Sequence, residues 1–324
     1  MTRTLVPRRE FPPRRDSPPV RWPDGKRFAF TVFDDPDAQT IAQARETYAF
    51  LLDLGFRTTV GVWPVDAAQG RNSPGETCEN PEYRRWVQEL QSHGFEPGLH
   101  CVAPATATRA EILHGLDRFR EYFGADPVSM ANHYNGDALY WGPARLSGYR
   151  RLVYTIATRG TTRAQHFGEV EGHPSFWGDL CRQRVRYCRN FVYRDANTLR
   201  ACPWMPYHDP ERPYVRAWFA STEGANRRSF LANITQAGLE RLEEEGGACI
   251  VYTHFAHGFH DSGALDCRFR RLMEWLSRRN GWFVPVGTLL KYLEQHHGER
   301  VITRRQRAAL ERRWLALKLR GGTS

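Results

Sequence analysis

Four short apolar runs in this chain end in residues that can move protons or hold metal ions. Residues 28–33 (FAFTVF) run into Asp34, Asp35, Pro36 and Asp37. Residues 95–99 end at His100, residues 128–131 at Asn132 and His133, and residues 248–253 (ACIVYT) at His254. Carboxylate oxygens and imidazole nitrogens together suit Zn²⁺ or another divalent transition metal. A further carboxylate beside such a set can serve as a general base. Singly, each residue has an ordinary structural use. Asp34 and Asp35 fit turns that cap a following helix, and Asp37 fits a helix N-cap better than a ligand. A lone strand-end His is commonly just hydrogen-bonded in place. His257 and His260 lie in a Gly-rich loop, and His296 and His297 end a helix, where the dipole favours a cation. The joint pattern, with Asp34, Asp35, His100, His133 and His254 each close behind an apolar run, is what points to one site.

Strands and helices alternate around these positions. Strands are expected at residues 28–33, 56–63, 94–99, 127–131, 190–193, 199–204, 214–220, 248–253 and 281–286. Helices are expected at 40–54, at 82–92 with Asn80 as cap and Pro81 in the first turn, at 142–158, 228–245, 269–279 and 289–296. Capping boxes at Thr108/Glu111 and Thr303/Gln306 open two more, running to Phe123 and about Leu319. Alternating βα units imply a mainly parallel sheet. So many units in ~290 residues suit an α/β, deformed (β/α) barrel better than an open doubly wound sheet. The C-terminal strand ends of a parallel barrel share one face, so the carboxylates and imidazoles converge there. GxGxxG, GxxxxGK[ST], GxSxG, HExxH and CxxC are all absent.

Composition bounds the rest. The 324 residues are 41% hydrophobic and 25% charged, a globular balance that can bury a large core. The net charge of +10 sits at the ends. Residues 1–22 hold six Arg against Glu10 and Asp16, and residues 300–324 hold seven Arg and Lys318 against Glu311. The body is close to neutral, which disfavours a folded nucleic-acid-binding surface. The expected organisation is a flexible Pro/Arg arm at 1–24, a barrel at 25–298 and a basic helix at 299–324. The basic ends suit an anionic membrane or polymer surface, although the terminal helix has a face (Leu310, Trp314, Leu317) that fits packing on the barrel. No apolar segment reads as a signal or a membrane span, and seven Cys without a CxxC pair read as reduced thiols. A cytoplasmic protein is expected. The aromatics Trp177, Trp204 and Tyr207, with His208, are candidates to line a sugar site, since flat apolar faces stack on sugar rings.

The blocks FTVFDDPD, GLHCVAP, NHYN and IVYTHF resemble, in that order, the motifs of the NodB-type polysaccharide deacetylases, a carbohydrate esterase family with a deformed barrel. FWGDLC at 176–181, MPYHDP at 205–210 and YTHF at 252–255 are similar to a bacterial deacetylase-like subgroup. The resemblance implies roles. Asp34 would be the general base, Asp35 and His100 metal ligands, and His254 the general acid that protonates a released amine. Two positions depart from the pattern. Pro104 stands where the family has a second ligand His, so His133 is the substitute, and the Arg of the third motif is missing from NHYN. The implied function is a metal-dependent, zinc-type hydrolase that removes an acyl group from an amino sugar or polysaccharide. The alternative is a catalytically degenerate glycan-binding or scaffold protein on the same barrel, and metal content separates the two.

Overall fold

In the computed structural model, described for residues 20–68, 70–159, 166–261 and 263–321, the chain runs in βα order from β1 (Phe28–Asp34). There follow α1 (Ile41–Asp53), β2 (Thr59–Val62), α2 (Pro81–Ser92), β3 (Glu96–Leu99), α3 (Arg109–Phe123), β4 (Ser129–Met130) and α4 (Gly148–Ala157). The second half holds α5 (Gly178–Arg184), β5 (Tyr187–Tyr193), α6 (Thr198–Ala201), β6 (Tyr207–His208), β7 (Ala217–Gly224), α7 (Arg227–Asn233), α8 (Gln236–Glu244) and β8 (Ala248–Thr253). The hairpin β9 (His260–Asp261) and β10 (Ala264–Leu265) precedes α9 (Cys267–Ser277), β11 (Gly281–Trp282), α10 (Val286–His297), β12 (Arg300–Val301) and α11 (Arg304–Leu319).

Seven strands close a barrel in the order β1-β2-β3-β4-β5-β7-β8, and every pairing in the ring is parallel. Closure is made by β8 on β1, in unbroken register from Ala29 opposite Ala248 to Asp34 opposite Thr253. All residues of β1 and β8 are buried, so both read as continuous apolar runs without alternation. The ring is deformed at two seams. β11 takes the lower part of the β1 edge that β2 occupies further up, and β6 runs antiparallel to the lower part of β7. The Phe33 ring fills the lumen, which requires glycine opposite it: a Cβ at Gly98 would lie 2.8 Å from that ring.

The caps of the sequence reading are present at Asn80, Thr108 and Thr303. Three expectations are corrected. Residues 199–204 hold no strand, because Asn197 caps the short helix α6 there. The helix expected over 228–245 is two, since Thr235 starts a new N-cap after α7. Residues 142–158 break between a 3₁₀ turn (Gly142–Arg145) and α4.

Of the proposed N-terminal arm, residues 1–19 lie outside the described residues. Trp22 is buried, stacks near Tyr292 and donates its indole N–H to the Gly246 carbonyl. The terminal helix α11 is packed on the barrel. Leu310 and Trp314 join the core, and Glu311, with no exposed side-chain surface, accepts from Ser147, Arg150 and Arg212. Arg307 also departs from the solvated basic face expected of this helix, being buried against Asp209.

Candidate functional site

The end of β1 sends three carboxylates in three directions. Asp34 is fully buried and accepts from Gln39 Nε2 (2.7 Å), the Tyr48 hydroxyl (3.0 Å) and the Phe255 backbone N–H (2.8 Å). Burial outweighs these donors and pushes its carboxyl up to about 7. It ties β1 to α1 and to the loop after β8, with two donors on Oδ2 and one on Oδ1. These contacts suit a structural carboxyl more than the general base expected here.

Asp35 is gripped by Arg189 through two hydrogen bonds of 3.0 and 2.5 Å, a charge-assisted fork. Arg189 stands in β5 and faces the lumen, its guanidinium 4.3 Å from the Tyr252 ring centroid and 5.3 Å from that of Phe33. Asp35 was expected to ligate a metal, and the arginine fork occupies it instead. Its Oδ1 stays 3.6 Å from His100 Nδ1.

Asp37 is the carboxylate that meets the imidazoles. Thr40 caps α1, so Asp37 is not the N-cap. Ala38 follows it at φ 58°, as Cys101 follows His100 at φ 53°, left-handed positions that non-glycine residues take only where the surroundings hold them. Asp37 Oδ1 lies 2.9 Å from His133 Nε2, and Oδ2 lies 3.2 Å from His100 Nε2 and 3.5 Å from His254 Nε2. Ser73 donates to Oδ1 (2.7 Å). Trp63, buried, sets its ring against both His100 and His133.

Tautomers can be read from the outer contacts. Asn135 donates its amide N–H groups to the Ala103 and Ala105 carbonyls, so its oxygen faces His133 Nδ1 at 2.8 Å. His133 therefore donates from Nδ1, which leaves Nε2, 2.9 Å from Asp37 Oδ1, as the nitrogen that a cation could take. His254 donates from Nδ1 to the Ala225 carbonyl (2.7 Å) and also turns Nε2 to Asp37. Among the described residues, the buried atoms His100 Nδ1, His100 Nε2 and Asp37 Oδ2 find no hydrogen-bond partner. One ligand atom each from Asp37, His100 and His133 lies within 4.8 Å of the others. Unpartnered buried polar atoms beside a carboxylate suit a cation between them, and one carboxylate with two imidazoles is a common zinc donor set. The residues fit a divalent metal.

The charges follow. Burial works against ionised Asp37, but the three imidazoles outweigh it and hold the carboxyl well below the usual range. Burial lowers the His100 pKa against the pull of Asp35 and Asp37. For His254 burial is outweighed by the close approach of Asp37 and by both carboxylate charges, and its pKa is raised.

Asp35, His100, His133 and His254 are thus brought together at one end of the barrel, with Asp34 beside them facing away. The aromatic candidates are not. Trp177 is buried and donates its indole N–H to the Asp137 carbonyl, so its faces are taken by packing. Tyr207 is buried in β6 opposite Trp218, six residues before the Gly224 end of β7, roughly 20 Å away at 3.3 Å per residue. His208 beside it donates to backbone carbonyls, and Trp204 is half-buried against the core. Asp37 and Arg189 were missed. Asp37 had a signal, since Thr40 is an available cap three residues on. Arg189 had none, because an Arg inside a strand reads as an outward residue until the ring closes.

No protein-family model matches the chain, and no curated protein matches it. Among solved structures, a Mycobacterium smegmatis protein with a provisional description as a polysaccharide deacetylase is 13% identical, with 89% of this chain and 98% of that one covered at a TM-score of 0.48. A Bordetella bronchiseptica protein, provisionally a polysaccharide deacetylase involved in O-antigen biosynthesis, is 14% identical over 90% and 93% (TM-score 0.37). The Bacillus cereus polysaccharide deacetylase is 12% identical over 80% and 91% (TM-score 0.36).

Proposed function

We propose that the chain is a metal-dependent hydrolase that removes an acyl group from an amino sugar or polysaccharide. The observation that carries this reading is the Asp37 carboxylate faced by three imidazole nitrogens, with the His133 tautomer set by Asn135. Asp37, His100 and His133 would hold a divalent cation of the zinc type, which supplies Lewis acidity toward an acyl carbonyl. Asp35 is the general base that takes the proton of the attacking water. Arg189 fixes its orientation through the two-bond fork. His254, held at Nδ1 by the Ala225 carbonyl and charged by its carboxylate neighbours, gives a proton to the departing amine from Nε2. The carbohydrate substrate rests on the motif resemblance, with Asp35 and Asp37 taking the roles first given to Asp34 and Asp35.

The test separates metal from chemistry. The chain is stripped, reloaded with zinc or cobalt, and assayed for metal content and for release of acetate from an N-acetylglucosamine oligomer. Asp37→Ala is expected to lose both metal and hydrolysis, whereas Asp35→Asn keeps the metal and loses hydrolysis. Metal content near zero in the parent, unchanged by Asp37→Ala, would leave the glycan-binding alternative in its place.

A further inference from the structure

Helix α4 is inside out. Along α3, Ile112, Leu116, Phe119 and Phe123 are buried. Along α4 only Arg150 and Tyr154 are buried. Tyr149, Leu152, Val153 and Ile156 are 61%, 59%, 38% and 68% exposed. Their i, i+3, i+4, i+7 spacing places them on one face. The inner edge explains the inversion: Arg150 reaches Glu311, and the Tyr154 ring lies 5.5 Å from that of Trp314 on α11. The buried edge of α4 is thus spent on α11, and its apolar face is left outward. A contiguous exposed apolar stripe of this kind marks an interaction surface.

The charge around the stripe selects the partner. Helix α4 contains no carboxylate, and Arg151 and Arg159 are exposed on and just beyond it. Helix α11, packed beside it, has one acid, Glu311, which is wholly buried and paired. Its solvent side shows Arg312, Arg320 and Leu319, with Lys318 half-buried. Among the described residues, neither helix presents an exposed carboxylate of its own; Glu211 beside Arg304 and half-buried Glu169 near Arg151 border a surface that is otherwise apolar and cationic. A second copy would set arginine against arginine. An anionic bilayer answers both features, with acyl chains for the stripe and headgroup charge for the arginines.

We propose that the outer face of α4, flanked by the exposed arginines of α11, docks on an anionic membrane surface. The connection that leaves β4 through His133 continues into α4, so docking joins the membrane to the chain segment that carries the site.

The full chain is floated with vesicles of phosphatidylcholine alone or with ~30 mol% phosphatidylglycerol at ~0.1 M salt. Binding to the anionic vesicles only is expected. The double variant Leu152→Ser/Ile156→Ser, whose fold is checked by circular dichroism and thermal melting, should bind about tenfold more weakly or less. Arg151→Glu/Arg312→Glu should lose the binding as well. The proposal is overturned if no vesicle is bound or if the serine variant binds like the parent, which would leave attraction to the basic termini alone. It is also overturned if the parent is a dimer that the serine variant dissociates.

Discussion

Two buried clusters of ionisable groups can be set side by side, one at the mouth of the barrel and one under α11. Beneath α11, Asp209 and Glu311 meet Arg150, Arg212 and Arg307, and every carboxylate oxygen accepts from a guanidinium. Its acceptors are all met, although Arg212 Nε finds no partner among the described residues. At the mouth, Asp37 faces His100, His133 and His254, two of which have Nδ1 committed to amide or carbonyl oxygen, and His100 has no hydrogen-bond partner at either nitrogen. That cluster leaves buried polar atoms unmatched among the described residues. Burial and charge density are alike in the two, so neither marks function. The difference lies in whether the donors present can satisfy the acceptors present.

The widest break between them is expected at Asp37. Asp37→Ala should reduce hydrolysis by about 10³-fold by removing electrostatic stabilisation at the acyl oxygen. The thermal stabilisation by added metal, about 4 kcal/mol at a thousandfold excess over Kd, should vanish in the same variant, as read by melting curves with and without chelator. Persistence of that stabilisation would put the metal elsewhere. Glu311→Ala strands Arg150 and Arg212, and denaturant unfolding should show a loss of about 3–5 kcal/mol. Metal content per folded chain should stay unchanged, and a fall would mean that the two clusters are not independent.

Asp34 tests a third arrangement, a buried carboxyl with donors but no cation. Its pKa rises from 3.8 to about 7 on folding, so the folded chain binds that proton more tightly. The stability contribution is complete below about pH 4 and is lost as pH rises through about 7, roughly 2–4 kcal/mol in all. Asp34→Asn should flatten this slope in unfolding curves between pH 4.5 and 8 (about the range of the shift). An unchanged slope would show that Asp34 stays ionised. The smallest effect is expected at Asn135. Asn135→Ala frees the His133 tautomer and should weaken metal binding by about 10–100-fold in a competition titration, with Glu311 contacts untouched.

The sequence carried the barrel well, because β1 and β8 are buried on both faces and read as unbroken apolar runs, and because Asn80, Thr108 and Thr303 mark helix starts by side-chain chemistry. It carried the convergence of His100, His133 and His254 through their places at strand ends. It could not sort the carboxylates, since three Asp within four residues look alike in a string and are told apart only by what faces each: Gln39 and Tyr48 for Asp34, Arg189 for Asp35, the imidazoles for Asp37. Trp177 looked like a sugar platform because aromatics in polar loops do, yet its indole is used to hold Asp137. The outward face of α4 escaped notice for the opposite reason: its spacing is that of any core-facing helix.

The closure of β8 on β1 also sets an order of events in folding. The Asp34–Phe255 hydrogen bond spans 221 positions, and Asp37 meets His254 across the same seam. Contacts of such separation need a large loop to close before they return any free energy, and they form slowly. Helices with their own caps, such as α3 and α11, form from local contacts and need not wait. The imidazole and carboxylate groups on the two sides of the seam therefore meet only when the ring shuts. In refolding, far-UV dichroism should recover first, and capture of a cobalt ion, seen in its visible spectrum, should follow with the slower rate of ring closure.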